Sequence, residues 1–305
     1  MPKKEDFDIV VEAEEVQALA PDIQQEIDPL KTGFYWYTPP LASDEPHAAF
    51  GHEWTISGHD MQVFTTTVPA GEQVVTEVGS FMYMSPFMTT EVDLTLCSTA
   101  GFSEGCARVC GGESCVKVLL KNNTQETGYV GITPNFPAKI IPIAFGKHIS
   151  RDQHLIAQSG AYMTELGDVD VGCDLDISPA TCCCGGLGCC RQKISGTDGS
   201  IAFLAAGGTL VYKQLKDGER IVVDTHSIVA MEQSVTLGIT PSGGCCMCCC
   251  GGEGCFSSTV TGPGKVFMQV RFGRHLFGCY HFIFKLNLLT LLHSPFNNIS
   301  EHGLC

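Results

Sequence analysis

The sequence predicts an all-β fold, a three-repeat pseudo-threefold β-sandwich or barrel with an acidic N-terminal arm and a short C-terminal tail. Three observations predict it. Short runs alternate apolar and polar residues, as in Met61-Gln62-Val63-Phe64, Ile201-Ala202-Phe203-Leu204, Leu210-Val211-Tyr212 and Val266–Phe272. A period of two is the pattern of a strand with one face buried. Gly-rich turns separate these runs at Pro69-Ala70-Gly71, Asp217-Gly218 and Thr261-Gly262-Pro263-Gly264, and no long stretch carries a helical period. Finally, Cys-Gly-Gly-x-x-Cys occurs three times, starting at Cys110, Cys184 and Cys250.

The arm, residues 1–53, holds three Lys against twelve Asp or Glu, a net of −9. Helical spacing through Val10, Val11, Val16, Leu19 and Ile23 is patchy and is broken by Pro21; Pro39, Pro40 and Pro46 follow. Such a segment reads as mostly irregular and solvated. The aromatic run Phe34-Tyr35-Trp36-Tyr37 is its candidate for docking.

The β domain is expected over 54–273. Its three repeated turns are Cys110-Gly111-Gly112-Glu113-Ser114-Cys115, Cys184-Gly185-Gly186-Leu187-Gly188-Cys189 and Cys250-Gly251-Gly252-Glu253-Gly254-Cys255. The starts lie 74 and 66 residues apart. Each turn leads into a strand-like run, a turn and another strand, as at the entry to a β-hairpin. A second element precedes each: Val74–Met82, Leu155–Met163 and Ile221–Val229. In the third, His226 stands where the others have Gly79 and Gly160. Repeats of this size cannot close a core alone, so the three are expected to pack around a pseudo-threefold axis.

The apolar tail is 274–305. Leu276–Leu292 is interrupted by His281, Lys285 and Asn287. A bilayer span needs about 20 apolar residues, so a docked terminal element is the better expectation. The final Cys305 does not form a prenylation box.

Composition bounds the function. The 305 residues include 33 acidic and 18 basic side chains, a formal net charge of −15. Phosphate-gripping proteins need a basic face, so nucleic acid is not expected as a partner. Hydrophobic residues make up 44%, enough for a real core. The start, Met-Pro-Lys-Lys-Glu-Asp, has no apolar signal region behind it, nor an Arg-rich, acid-poor presequence. The expected location is cytoplasmic or mitochondrial, not secreted, with the 18 Cys in a reducing compartment.

No catalytic residue is singled out. The ten His show no close pairing of the kind a β-barrel metal enzyme needs, and only His226 sits near an acid in a strand-like run. The bland reading of the cysteines is that they fill tight corners beside Gly. Two sharper readings stand beside it. Thiolates at x(2–4) spacing bind zinc; Cys245 and Cys248 have that spacing, and Cys110, Cys184 and Cys250 would meet if an axis joins equivalent turns. Zinc is therefore the one cofactor to consider, and a metal-binding β protein the first alternative. Adjacent thiols in exposed loops also accept acyl chains, and Cys182, Cys183, Cys245 and Cys246 are the candidates. A peripheral membrane protein anchored through them is the second alternative.

The segment from Cys250 to Phe256, followed by Thr261-Gly262-Pro263-Gly264-Lys265-Val266-Phe267-Met268-Gln269, resembles the signature of the altered-inheritance-of-mitochondria 24 family. Pro69–Glu72, Gly79–Met84, Leu215–Glu219 and Val223–His226 are similar to other segments of that family. The resemblance covers roughly 54–273. It implies a three-repeat β domain like the tryptophan RNA-binding attenuation protein. It also implies a non-enzymatic scaffold or binding module, membrane-associated and supporting mitochondrial membrane organisation. Protein partners or a homo-oligomer are expected, with a membrane surface as a further candidate.

Overall fold

The computed structural model describes residues 32–37, 47–94, 116–150, 153–175, 190–243 and 256–270. Twenty-one strands are formed among them, all paired antiparallel. Three short ones come first: β1 (Phe34–Trp36), β2 (His47–Ala49) and β3 (His52–Ser57). Three sets of six follow. The first is β4 (Val63–Val68), β5 (Gln73–Thr76), β6 (Phe81–Met84), β7 (Thr89–Asp93), β8 (Lys117–Lys121) and β9 (Gly128–Ile132). The second is β10 (Ala138–Ala144), β11 (Leu155–Ala157), β12 (Tyr162–Leu166), β13 (Val169–Leu175), β14 (Cys190–Gly196) and β15 (Ile201–Gly207). The third is β16 (Leu210–Leu215), β17 (Arg220–Val223), β18 (Ile228–Glu232), β19 (Thr236–Pro241), β20 (Phe256–Thr261) and β21 (Gly264–Gln269).

Pairing follows one plan in every set. The sixth strand lies between the first and third, as β9 does between β4 and β6. The fifth lies between the second and fourth, as β8 does between β5 and β7. The same holds for β15 and β14 in the second set, and for β21 and β20 in the third. Two pairs join consecutive sets: β5 with β12, and β11 with β18. The outcome is four open sheets, of seven, six, five and three strands. No closed barrel forms among the described residues, so the barrel half of the expectation is replaced by stacked sheets.

Strand alternation sends successive residues into different cores. On β15, Ala202, Leu204 and Ala206 face one core and Ile201 and Phe203 another. The six-stranded sheet is thus covered on both faces, by the seven-stranded sheet on one and by the five-stranded sheet on the other. The seven-stranded sheet uses its far face as well: Ile156, Met231, Val266 and Met268 pack with Val223 and Val260 of the three-stranded sheet. Strands buried on both faces read as continuous apolar runs, and β15 is buried throughout.

The chain enters the third strand of each set in one of two ways. Gly79 and Gly160 take left-handed backbone, at φ +88° and +78°, which favours glycine. In the third set the chain makes a 3-10 turn at Thr225–Ser227 instead, with the Asp224 carboxylate accepting the His226 N–H at 3.4 Å. No left-handed residue is needed there, so His is tolerated.

The flanks are described in part. Within the segment read as an irregular arm, β1 pairs with β16 and β2 with β3. The aromatic run docks, with Tyr35 stacked on Tyr212 at 5.3 Å. The tail 274–305 lies outside the described residues. Cys173 on β13 is disulfide-bonded, which departs from the free thiols expected of a reducing compartment.

Candidate functional site

A cleft of about 510 Å³, open to solvent, lies where the second and third strand sets meet. One wall is β10, with Ile141, Pro142 and Ile143, continued by His148 and Ile149 of the following turn. The other wall belongs to the seven-stranded sheet. Tyr212 on β16 is directly opposite Phe267 on β21, so the two rings share a face, 6.2 Å apart. Tyr37, just past β1, is held by its N–H donating to the Leu210 carbonyl at 2.9 Å. Its ring meets Phe267 edge-on at 6.3 Å. The docked aromatic run therefore completes the cleft.

The polar atoms are few. The Tyr37 hydroxyl is buried without a hydrogen-bond partner among the described residues, and burial pushes its pKa well above the usual phenol range. A buried unpaired hydroxyl costs roughly 1–3 kcal/mol unless something satisfies it. Tyr212 is pushed up to about 12, by burial and then by the neighbouring Tyr35. The Lys265 ammonium sits 6.0 Å from the ring centres of Tyr212 and Phe267, a cation–π distance. Glu232 accepts the Lys265 backbone N–H at 3.0 Å.

His148 is pushed down to about 4, by burial first and then by Lys265 and Lys147. The Ala144 N–H donates to its Nδ1 at 3.0 Å. Nδ1 is thereby an acceptor, and the neutral ring carries its proton on Nε2. The ring is a weak base and a usable donor at neutral pH. The arrangement suits a flat apolar group carrying a hydrogen-bond acceptor.

The residues singled out from sequence lie elsewhere. All three Cys-Gly-Gly turns, at 110–115, 184–189 and 250–255, fall outside the described residues. So do Cys182, Cys183, Cys245, Cys246 and Cys248. What is described is the strand each turn leads into: β8, β14 and β20, the fifth of each set. Among the described residues, no group of three or more His, Cys, Asp or Glu is placed to hold a metal ion. His226 is exposed, its Nδ1 3.6 Å from Asp224 Oδ1. No helix among the described residues is long and apolar enough to cross a membrane.

Sequence reasoning missed the cleft. Tyr212 and Phe267 read as ordinary strand residues and Ile141 was not singled out, and their convergence depends on which strands pair. The one usable signal was the aromatic run ending at Tyr37.

A comparison with curated proteins gives no match. Among solved structures, the crystal structure of protein SPYM3_0169 from Streptococcus pyogenes is similar, with a TM-score of 0.55 and 18% sequence identity. The match covers 78% of this chain and 99% of that one, and at this identity it speaks for the fold alone. The family model described as Mitochondrial biogenesis AIM24 matches residues 54–271, all of the three strand sets and most of the strand β3 before them. The chain therefore belongs to the Mitochondrial biogenesis AIM24 family.

Proposed function

We propose that this chain is a non-enzymatic scaffold and binding module that supports mitochondrial membrane organisation. The observation that carries this reading is the family match over 54–271. The cleft supports the non-enzymatic part. Two of its polar groups hold structure: Glu232 fixes the backbone at Lys265, and His148 fixes the backbone at Ala144. A His with its pKa near 4 is poorly matched to proton transfer at neutral pH. The common pairing plan of the three strand sets supports the finer architectural proposal, a threefold internal repeat.

The test is made in cells. The tagged full chain is expected in the mitochondrial fraction, and its depletion is expected to lower the number of crista junctions seen by electron tomography. A chain recovered wholly outside mitochondria, or normal cristae after depletion, would overturn the reading.

A further inference from the structure

Two internal junctions join the strand sets, and both are built alike. The second strand of one set pairs antiparallel with the third strand of the next: β5 with β12, and β11 with β18. The third strand has a register shift at the same place in both, at Met163 and at Val229. The carbonyl of that residue accepts an N–H from the end of the neighbouring second strand, Glu77 N–H to Met163 at 2.9 Å and Gln158 N–H to Val229 at 2.8 Å.

Among the described residues, one half of such a junction remains open in the first set and the other half in the third. β6 is the third strand of the first set, ends its sheet and, among the described residues, pairs only with β9. It carries the same register shift, at Met82. β17 is the second strand of the third set, ends its sheet and, among the described residues, pairs only with β20. The exposures mark the difference. Met82 is 53% exposed, against 1% for Met163 and 0% for Val229. Val222 is 63% exposed, against 8% for its counterpart Ile156. Phe81 and Tyr83 add to the exposed apolar edge. A bare apolar edge strand is a template for pairing, which proteins otherwise blunt with charge or cover.

We infer that the β6 edge of one copy pairs with the β17 edge of a second copy, continuing head to tail the junction that the chain makes twice within itself. The two edges lie on different sheets, the five-stranded and the three-stranded, which occupy opposite ends of the stack. Both internal junctions fix the register. Thr164 faces Thr76, and Ala230 faces Ala157. The equivalent positions place Tyr83 opposite Val223 and Met84 opposite Val222. The pairing is heterologous, so it builds a ring or an open chain rather than a two-fold dimer. This deepens the scaffold reading, which a self-assembling module serves, and it rests on that reading only for its biological use.

The experiment uses the full chain and sedimentation over a range of concentrations. Wild type is expected to form species larger than a dimer as concentration rises. Tyr83→Lys blocks one edge and Val222→Lys the other; both residues are exposed, so circular dichroism is expected to match wild type. Each variant alone is expected to be a monomer. An equimolar mixture restores one intact pair and is expected to give a dimer and nothing larger. A monomeric wild type, a variant that still assembles, or a mixture that stays monomeric would overturn the proposal. Assembly restricted to a dimer in wild type would point to a two-fold contact and overturn it as well. Loss of assembly leaves the cellular test of the scaffold reading untouched, so the two fail separately.

Discussion

Asn122 shows how much one side chain organises. It is fully buried and sits just after β8. Its amide donates to the carbonyls of Val68, Pro69 and Glu126, at 2.9, 3.2 and 2.6 Å, and its oxygen accepts from Thr124. Asn122→Ala leaves these buried groups unpaired and is expected to destabilise the fold by roughly 2–4 kcal/mol, read as a lower urea midpoint. An unchanged midpoint would mean that water replaces the amide. His148 gives a pH signature. Its pKa is near 6.5 when unfolded and about 4 when folded. Below about 6.5 the unfolded chain binds a proton that the folded chain does not. Stability contributed by neutral His148 is therefore lost as pH falls from about 6.5 to about 4, by roughly 3 kcal/mol. His148→Asn keeps an acceptor for the Ala144 N–H and removes the titration. The stability difference between the two proteins is expected to change across that window; a constant difference would contradict the assignment. Neither Asn122 nor His148 was singled out in the sequence, because the distant part of each environment, the Val68 and Pro69 carbonyls and Lys265, arrives only with the fold.

Among the elements, β15 is buried along all seven of its residues. Phe203 is fully buried, 4.2 Å from Phe64 and 5.2 Å from Trp54 between ring centres. Phe203→Ala is expected to cost about 3–5 kcal/mol, measured by urea unfolding; a cost below 1 kcal/mol would show that the site collapses around the gap. Much at this scale was legible. The runs at 61–64, 201–204, 210–212 and 266–272 overlap β4, β15, β16 and β21. The apolar runs at 74–82, 155–163 and 221–229 each mark a second strand and the entry to a third. Less legible was β1. Its aromatic residues sit in an acidic, proline-bearing stretch, and only the open edge of β16 makes them a strand.

For the whole molecule, shared sheets imply cooperativity. The six-stranded sheet serves two cores, and the seven-stranded sheet serves two. Trp54 reports on one core and Tyr212 on another. Urea unfolding followed by Trp fluorescence and by far-ultraviolet circular dichroism is expected to give coincident curves. Separated transitions would mean that the layers unfold independently.

The sequence by itself determined the all-β character, the turns and the threefold recurrence of motif, because period two and glycine placement act through neighbouring residues. It also carried the family through the segments around 69–84, 215–226 and 250–269. Only the tertiary structure decided which edges meet. Alternation tells a strand which face to bury but not its partner, since any apolar strand offers the same backbone groups to a neighbour. The open stack, the cleft closed by Tyr37, and the bare edges of β6 and β17 all follow from that choice of partners.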